Sequence, residues 1–143
     1  NDLSRMQVFL TQNGADVVIG SRYKTGVNVV NWPIQRVLIS YFASWYARII
    51  TGTPVMDLTS GFVGYKAKVL NEILNNGVKF KGYAFQIEMK FKAYNLKYNL
   101  YEIPIIFTDR VKGSSKLNLS IISEAIFGLI TMKISQIFTK IFR

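Results

Sequence analysis

The sequence predicts an α/β fold built on a small, mostly parallel sheet. Three observations lead there. Ala15 to Gly20 (Ala-Asp-Val-Val-Ile-Gly) is a short apolar, β-branched run that suits a buried strand. Asn99 to Phe107 reads as a second strand, in which Pro104 marks an edge or a bulge. Between and after them the apolar spacing turns helical, and strands alternating with helices are the pattern of a parallel sheet.

The elements follow in order. Leu3, Met6, Val8, Phe9 and Leu10 read as the end of a helix, with Asn13-Gly14 as its stop. A domain seldom starts inside a helix that leads at once into a buried strand, so a fragment is expected. After the first strand, Ser21-Arg22-Tyr23 opens a loop rich in Gly and Asn. Ligands of α/β sheets collect at the carboxyl ends of strands, which places Arg22 well for binding. Pro33 then sits at a favourable helix start, and Ile34, Val37, Leu38, Tyr41, Phe42, Trp45, Tyr46 and Ile49 form an apolar stripe ending near Thr51-Gly52. The opposite stripe carries Arg36, Ser40, Ser44 and Arg48 at four-residue intervals. Trp, Tyr and Arg together suit a membrane interface; an ordinary core-packing helix with a solvated polar face fits the pattern equally.

Phe62 to Tyr65 is a candidate short strand, followed by a helix from Ala67 to Leu74 that Asn75-Asn76-Gly77 ends. Another helix runs from Tyr83 to about Tyr94, with Gln86 and Glu88 near its start, where the helix dipole favours an acidic residue for purely structural reasons. From Asn118 to Arg143 the pattern is helical again, with Leu119, Ile122, Ile126, Leu129, Ile130, Ile137 and Ile141 on a broad apolar face flanked by Lys133, Lys140 and Arg143. A helix this apolar needs its own domain, another subunit or lipid to cover it.

Composition narrows the chemistry. The 143 residues suffice for one domain with a real core, and half of them are hydrophobic, which argues against disorder. The net charge of +10 points to an anionic partner: nucleic acid, an acidic membrane surface or phosphorylated substrates. The basic residues are dispersed and no nucleic-acid motif is present, so no nucleic-acid partner is expected. Cysteine and histidine are both absent, which excludes disulfides, thiolate chemistry, an imidazole base and a histidine-held metal within this chain. No basic-then-apolar leader opens the chain, and the most apolar stretch, Ile121 to Ile134, is interrupted by Ser123, Glu124 and Lys133.

Two polar motifs remain. Asp57-Leu58-Thr59-Ser60-Gly61-Phe62 places a carboxylate at the mouth of a tight turn. Asp109-Arg110-Val111-Lys112-Gly113-Ser114-Ser115-Lys116 packs three cations and a Gly-Ser-Ser loop into eight residues, which suits phosphate. Each alone reads as a capped turn or a solvated basic loop; their order and spacing carry the signal.

With Gly20-Ser21-Arg22-Tyr23, Trp32-Pro33, Arg36, Ser40 and Gly82-Tyr83-Ala84-Phe85-Gln86-Ile87-Glu88 added, the chain resembles the C-terminal half of a polyprenyl-phosphate sugar synthase. The nearest likeness is to dolichol-phosphate mannose synthases, family 2 glycosyltransferases of the GT-A fold. The resemblance covers most of residues 14 to 133. It implies a partial, Rossmann-like GT-A domain over residues 1–117 and an amphipathic helix over 118–143, with two interface helices resting on the bilayer. It implies inverting transfer of a sugar from a nucleotide sugar to a polyprenyl phosphate, peripherally on the cytoplasmic face of a membrane. Mannose from a guanosine diphosphate donor is the first expectation; glucose or another sugar from a uridine diphosphate donor is the alternative. Arg22, Arg36 and Ser40 would bind phosphate, Asp57 and Gln86 or Glu88 would line the sugar pocket, and Arg110, Ser115 and Lys116 would grip the donor diphosphate. A divalent metal, Mg or Mn, would share that task, but its Asp-x-Asp ligands are absent from this chain. An oligomer or a membrane-anchoring subunit is a further possible partner. The competing reading is a non-enzymatic basic amphipathic module that docks on anionic membranes.

These 143 residues lack the expected nucleotide-binding strands, so the chain by itself is expected to be inactive. Calorimetric titration of a nucleotide sugar into it, with and without Mg or Mn, should show no tight binding; tight metal-dependent uptake would contradict this.

Overall fold

The computed structural model describes residues 1–108 and 119–141. The elements are α1 (Asp2–Thr11), β1 (Val17–Ser21), β2 (Val29–Val30), α2 (Ile34–Thr51), β3 (Val63–Tyr65), α3 (Ala67–Asn75), α4 (Gly82–Asn95), β4 (Leu100–Pro104), β5 (Phe107–Thr108) and α5 (Leu119–Ile141). β1 lies at the centre of a three-stranded sheet in the order β3-β1-β4, parallel to β4 and antiparallel to β3, and β2 pairs in parallel with β5. The sheet is thus mixed but mostly parallel, as expected of a partial Rossmann-like fold.

β1 is buried along its whole length because both faces are covered. Val17 and Ile19 pack with Leu58, Ile73, Ile87 and Leu129 on one side. Val18 packs with Met6, Ile103 and Ile105 on the other, beneath α1. A strand enclosed on both faces has no solvent side to alternate towards, which explains its unbroken apolar run.

The single strand expected over Asn99–Phe107 divides in two. Pro104 closes β4 opposite Ser21, and the Ile105 amide still donates to the Ser21 carbonyl at 3.0 Å. The Phe107 amide then donates to the Asn28 carbonyl at 3.0 Å, so the chain leaves β1 to join β2. Among the described strands β4 pairs only with β1, so Pro104 stands on an edge, where a missing amide is tolerated.

α2 ends where expected: Gly52 adopts φ 70°, and its amide donates to the Arg48 carbonyl at 2.8 Å. Its orientation overturns one of the two readings. The polar stripe faces inward, with Ser44, Ala47 and Thr51 buried, while Phe42 and Trp45 are 57 % and 51 % exposed. α2 is therefore not a core-packing helix with a solvated polar face. Ser44 lies over the turn at residues 57–60 and hydrogen-bonds there to Asp57 and Thr59. α5 crosses α2 and α4, burying Leu129 and Met132 and leaving Phe127, Ile134 and Phe138 exposed. No described helix is long and apolar enough to cross a membrane.

Among the described glycines the tightest is Gly20, where a Cβ would stand 2.5 Å from the Phe62 ring and 3.0 Å from Ile105. Gly20→Ala should cost roughly 1–3 kcal/mol through forced repacking. Urea denaturation of the full-length gene product measures it, and an unchanged midpoint would contradict the packing described.

Candidate functional site

The turn at residues 57–62 sits against the carboxyl end of β1. Ser60 Oγ donates to the Gly20 carbonyl at 2.6 Å, and the Gly20 amide donates to the Phe62 carbonyl at 2.8 Å. This seat brings Asp57 to Arg22. The Arg22 guanidinium meets the carboxylate in fork geometry, Nε to Oδ2 and Nη2 to Oδ1, both at 2.7 Å, and the Arg22 amide donates to Oδ2 at 3.0 Å. Thr59 Oγ1 accepts from Arg22 Nη2 at 2.9 Å, and Ser44 Oγ from α2 lies 2.9 Å from Thr59 Oγ1 and 3.3 Å from Asp57 Oδ1. Asp57 is wholly buried. Burial alone would raise its pKa, but the Arg22 hydrogen bonds and charge outweigh burial and hold the carboxyl below its ordinary range. The same pair raises Arg22 despite burial.

Asp57 thus spends its acceptor capacity on Arg22, Thr59 and Ser44. Arg22 keeps Nη1, which has no hydrogen-bond partner among the described residues. Trp32 lies beyond it, its ring 5.3 Å from the Arg22 guanidinium carbon and 4.0 Å from that of Arg36. Two cations therefore flank one indole, each attracted by the ring quadrupole.

Arg22, Arg36, Ser40, Thr59 and Tyr83 line a groove of about 560 Å³. Its remaining walls are apolar, from Leu38, Phe42 and Trp45 of α2 and Ile122, Ala125 and Ile126 of α5. Arg22 and Arg36 meet at Trp32, and the apolar lining comes from the two helices. Such a groove fits an amphiphile with an anionic head.

Of the residues singled out in the sequence, the structure gathers Arg22, Arg36 and Ser40 in the groove and sets Asp57 directly behind Arg22. Gln86 lies beside the turn, its amide nitrogen 3.8 Å from where a Gly61 Cβ would stand. Glu88, two residues on, is turned away. Its carboxylate accepts from the Lys79 and Phe80 amides at 2.9–3.1 Å and pairs with Lys92 at 3.0 Å, so it holds the loop before α4. Arg110, Ser115 and Lys116 lie outside the described residues.

Three contributors escaped the sequence reading. Glu102 on β4 accepts from the Met56 and Asp57 amides at 2.9 Å, steadying the entry to the turn. Lys90 on α4, 0 % exposed, donates to the carbonyls of Leu58 at 3.0 Å, Ser60 at 2.7 Å and Gln86 at 3.0 Å. Burial pulls its pKa down to about 7, against the opposing charge of Asp57. Ser44 was visible as part of a polar stripe, but not as the inward one. An acidic residue within a strand and a lysine amid Met89, Phe91 and Ala93 were the available signals for the first two.

No family model matches the chain. Curated relatives do. The chain is 43% identical over 114 residues to a polyprenol monophosphomannose synthase of Mycolicibacterium smegmatis, covering 80% of this chain and 43% of that protein. It is 41% identical over 115 residues to an undecaprenyl-phosphate mannosyltransferase of Micrococcus luteus, covering 80% and 47%. The chain is a homologue of polyprenyl-phosphate mannose synthases. It spans a little under half the length of these relatives. The likeness is thus one of sequence across most of the chain.

Removing one partner of the buried pair exposes its worth. Asp57→Ala strands the Arg22 charge and should cost about 3–5 kcal/mol in denaturant unfolding. In the unaltered protein the folded pKa is depressed, so the pair's contribution is complete above the ordinary carboxyl value of 3.8 and is lost as pH falls through the lower folded value. Stability that tracks the variant at neutral pH would contradict the pairing.

Proposed function

We propose that the whole protein transfers mannose from a nucleotide sugar to a polyprenyl phosphate at a membrane surface, and that this chain supplies the acceptor groove. The observation that carries the reading is the groove itself: Arg22 and Arg36 meet at Trp32, Ser40 shares the lining, and apolar walls continue from it that an isoprenoid tail would fill. The names of the relatives supply the sugar and the lipid class.

The chemistry follows from the head group. A lipid phosphate oxygen is already anionic, so attack at the anomeric carbon needs no strong general base, and a chain without histidine is no handicap. What the reaction requires is alignment of two repelling phosphorylated substrates. Arg22 and Arg36 would neutralise and orient the acceptor, with Arg22 held rigid by Asp57. Ser40 would add a hydroxyl donor one helical turn from Arg36. Gln86 would meet the sugar beside Gly61. The Asp109–Lys116 segment, through Arg110, Ser115 and Lys116, would take the departing diphosphate.

The divalent metal expected of the family finds no ligand cluster among the described residues. Asp57, Glu88 and Glu102 are committed to Arg22, Lys92 and backbone amides. They do not fit a metal site.

α2 and α5 would rest on the bilayer at its cytoplasmic face, their exposed Phe42, Trp45, Phe127 and Phe138 in the interface. The basic net charge would favour anionic lipid.

The test is transfer from labelled GDP-mannose and UDP-sugars to a polyprenyl phosphate by the full-length gene product. Arg36→Ala should raise the acceptor KM roughly 10–100-fold, the loss of one charge-assisted contact of about 1.5–3 kcal/mol. Transfer unaffected by Arg36→Ala would contradict the assignment, and vesicle binding with no transfer from any donor would favour the non-enzymatic module. Phe42→Ala with Trp45→Ala should leave the unfolding free energy within about 1 kcal/mol of the parent, since both are surface positions, while weakening vesicle binding several-fold. A large loss of stability without loss of vesicle binding would place these rings in a protein contact instead.

A further inference from the structure

The turn at residues 57–61 has two unusual supports. Glu102, from β4, accepts the amides that lead into it. Lys90, from α4, donates to the carbonyls of Leu58 and Ser60 that lie within it. A buried anion therefore holds the turn's N–H groups and a buried cation holds its C=O groups, from two different elements. Among the described residues no other donor reaches the Leu58 or Ser60 carbonyl.

An ammonium suits this place and a neutral side chain does not. It carries three donors on one atom, and three carbonyls converge on it at 2.7–3.0 Å. Taking a charge wholly out of water is costly, and lysine is rarely found there unless compensated. Among the described residues no carboxylate touches Lys90: three backbone carbonyls compensate it directly, and the charges of Asp57 and Glu102 act from farther away. A site that needed only filling would be served as well by an apolar side chain of similar volume. What Lys90 provides beyond volume is a fixed direction for two successive carbonyls, and hence for the peptide planes on either side of Thr59.

The consequence runs to Arg22. Asp57 and Thr59 are the residues that receive its Nε and Nη2, and both belong to the turn that Lys90 holds. We propose that Lys90 is a positioning residue for the anionic acceptor: it fixes the turn, the turn fixes the Asp57 and Thr59 oxygens, and these fix the direction in which Arg22 presents Nη1 to the groove. This inference rests on the acceptor reading of the groove above, and the test separates the two.

The measurement is a double-mutant cycle in the full-length gene product, with a short-chain polyprenyl phosphate as acceptor and labelled GDP-mannose as donor. Lys90→Met should raise the acceptor KM about tenfold, the scale of one charge-assisted contact, with the donor KM unchanged. Lys90→Gln keeps two amide donors and should fall between; it carries the cycle if the methionine variant does not fold. Arg22→Lys should raise the acceptor KM by itself, and adding Lys90→Met to it should produce little further rise, because both act through one contact. Additive effects, or a uniform loss of activity that follows thermal stability with no acceptor KM change, would overturn the role of Lys90 alone. An acceptor KM unmoved by Arg22→Lys would overturn the acceptor reading and the Lys90 role with it.

Discussion

The arrangement depends on one buried ion pair. Asp57 and Arg22 are 35 residues apart in the chain, and each is carried by an element that would not otherwise hold a charge. Arg22 follows the fully buried β1, and Asp57 stands in a turn packed against that strand's carboxyl end. The fork engages both oxygens at 2.7 Å, the Arg22 amide, Ser44 and Thr59 occupy the rest of the carboxylate, and the guanidinium keeps one edge to offer. A buried pair of this kind is weak evidence for stability, because desolvation offsets much of the attraction. It is stronger evidence for direction. An arginine needed only for charge could remain in solvent; one that must point a particular way has to be held.

The same economy explains α2. Ordinary amphipathic helices bury their large apolar residues. Here the floor beneath the helix is a polar turn, and Ser44 fits because it is small and can bond Asp57 and Thr59. The large residues are left on the outer face, and α5 leaves another apolar row exposed nearby. The groove between these helices is therefore apolar along its walls and cationic where it reaches β1. One packing decision, a serine facing a carboxylate, accompanies both the cationic end of the groove and the apolar surface around it.

Much of this was legible in the sequence. The β-branched run of β1, the Pro33 start and Gly52 stop of α2, and the Asn76-Gly77 end of α3 are local signals that local physics obeys. Arg22, Arg36 and Ser40 could be singled out as phosphate-binding from strand-end placement and from family likeness. The inward-facing polar stripe of α2 was not legible, because periodicity shows that two faces differ and not which of them is covered. Glu102 and Lys90 were hidden for a related reason. Each sits in an apolar neighbourhood of its own element, and only the tertiary fold reveals that a displaced turn is what each one serves. The division of residues 99–107 into β4 and β5 likewise depends on two partner strands that lie far away in the chain.

The central claim is that an anionic isoprenoid lies between α2 and α5 with its head at Arg22 and Arg36. The most direct measurement uses a polyprenyl phosphate carrying a photoreactive diazirine on the isoprene unit next to the phosphate, irradiated with the full-length protein in vesicles. Mass spectrometry of the digest should find the label on peptides spanning residues 38–46 and 122–129, and excess unlabelled polyprenyl phosphate should remove it. Labelling confined to other peptides, or labelling indifferent to competition by the phosphorylated lipid, would contradict the account.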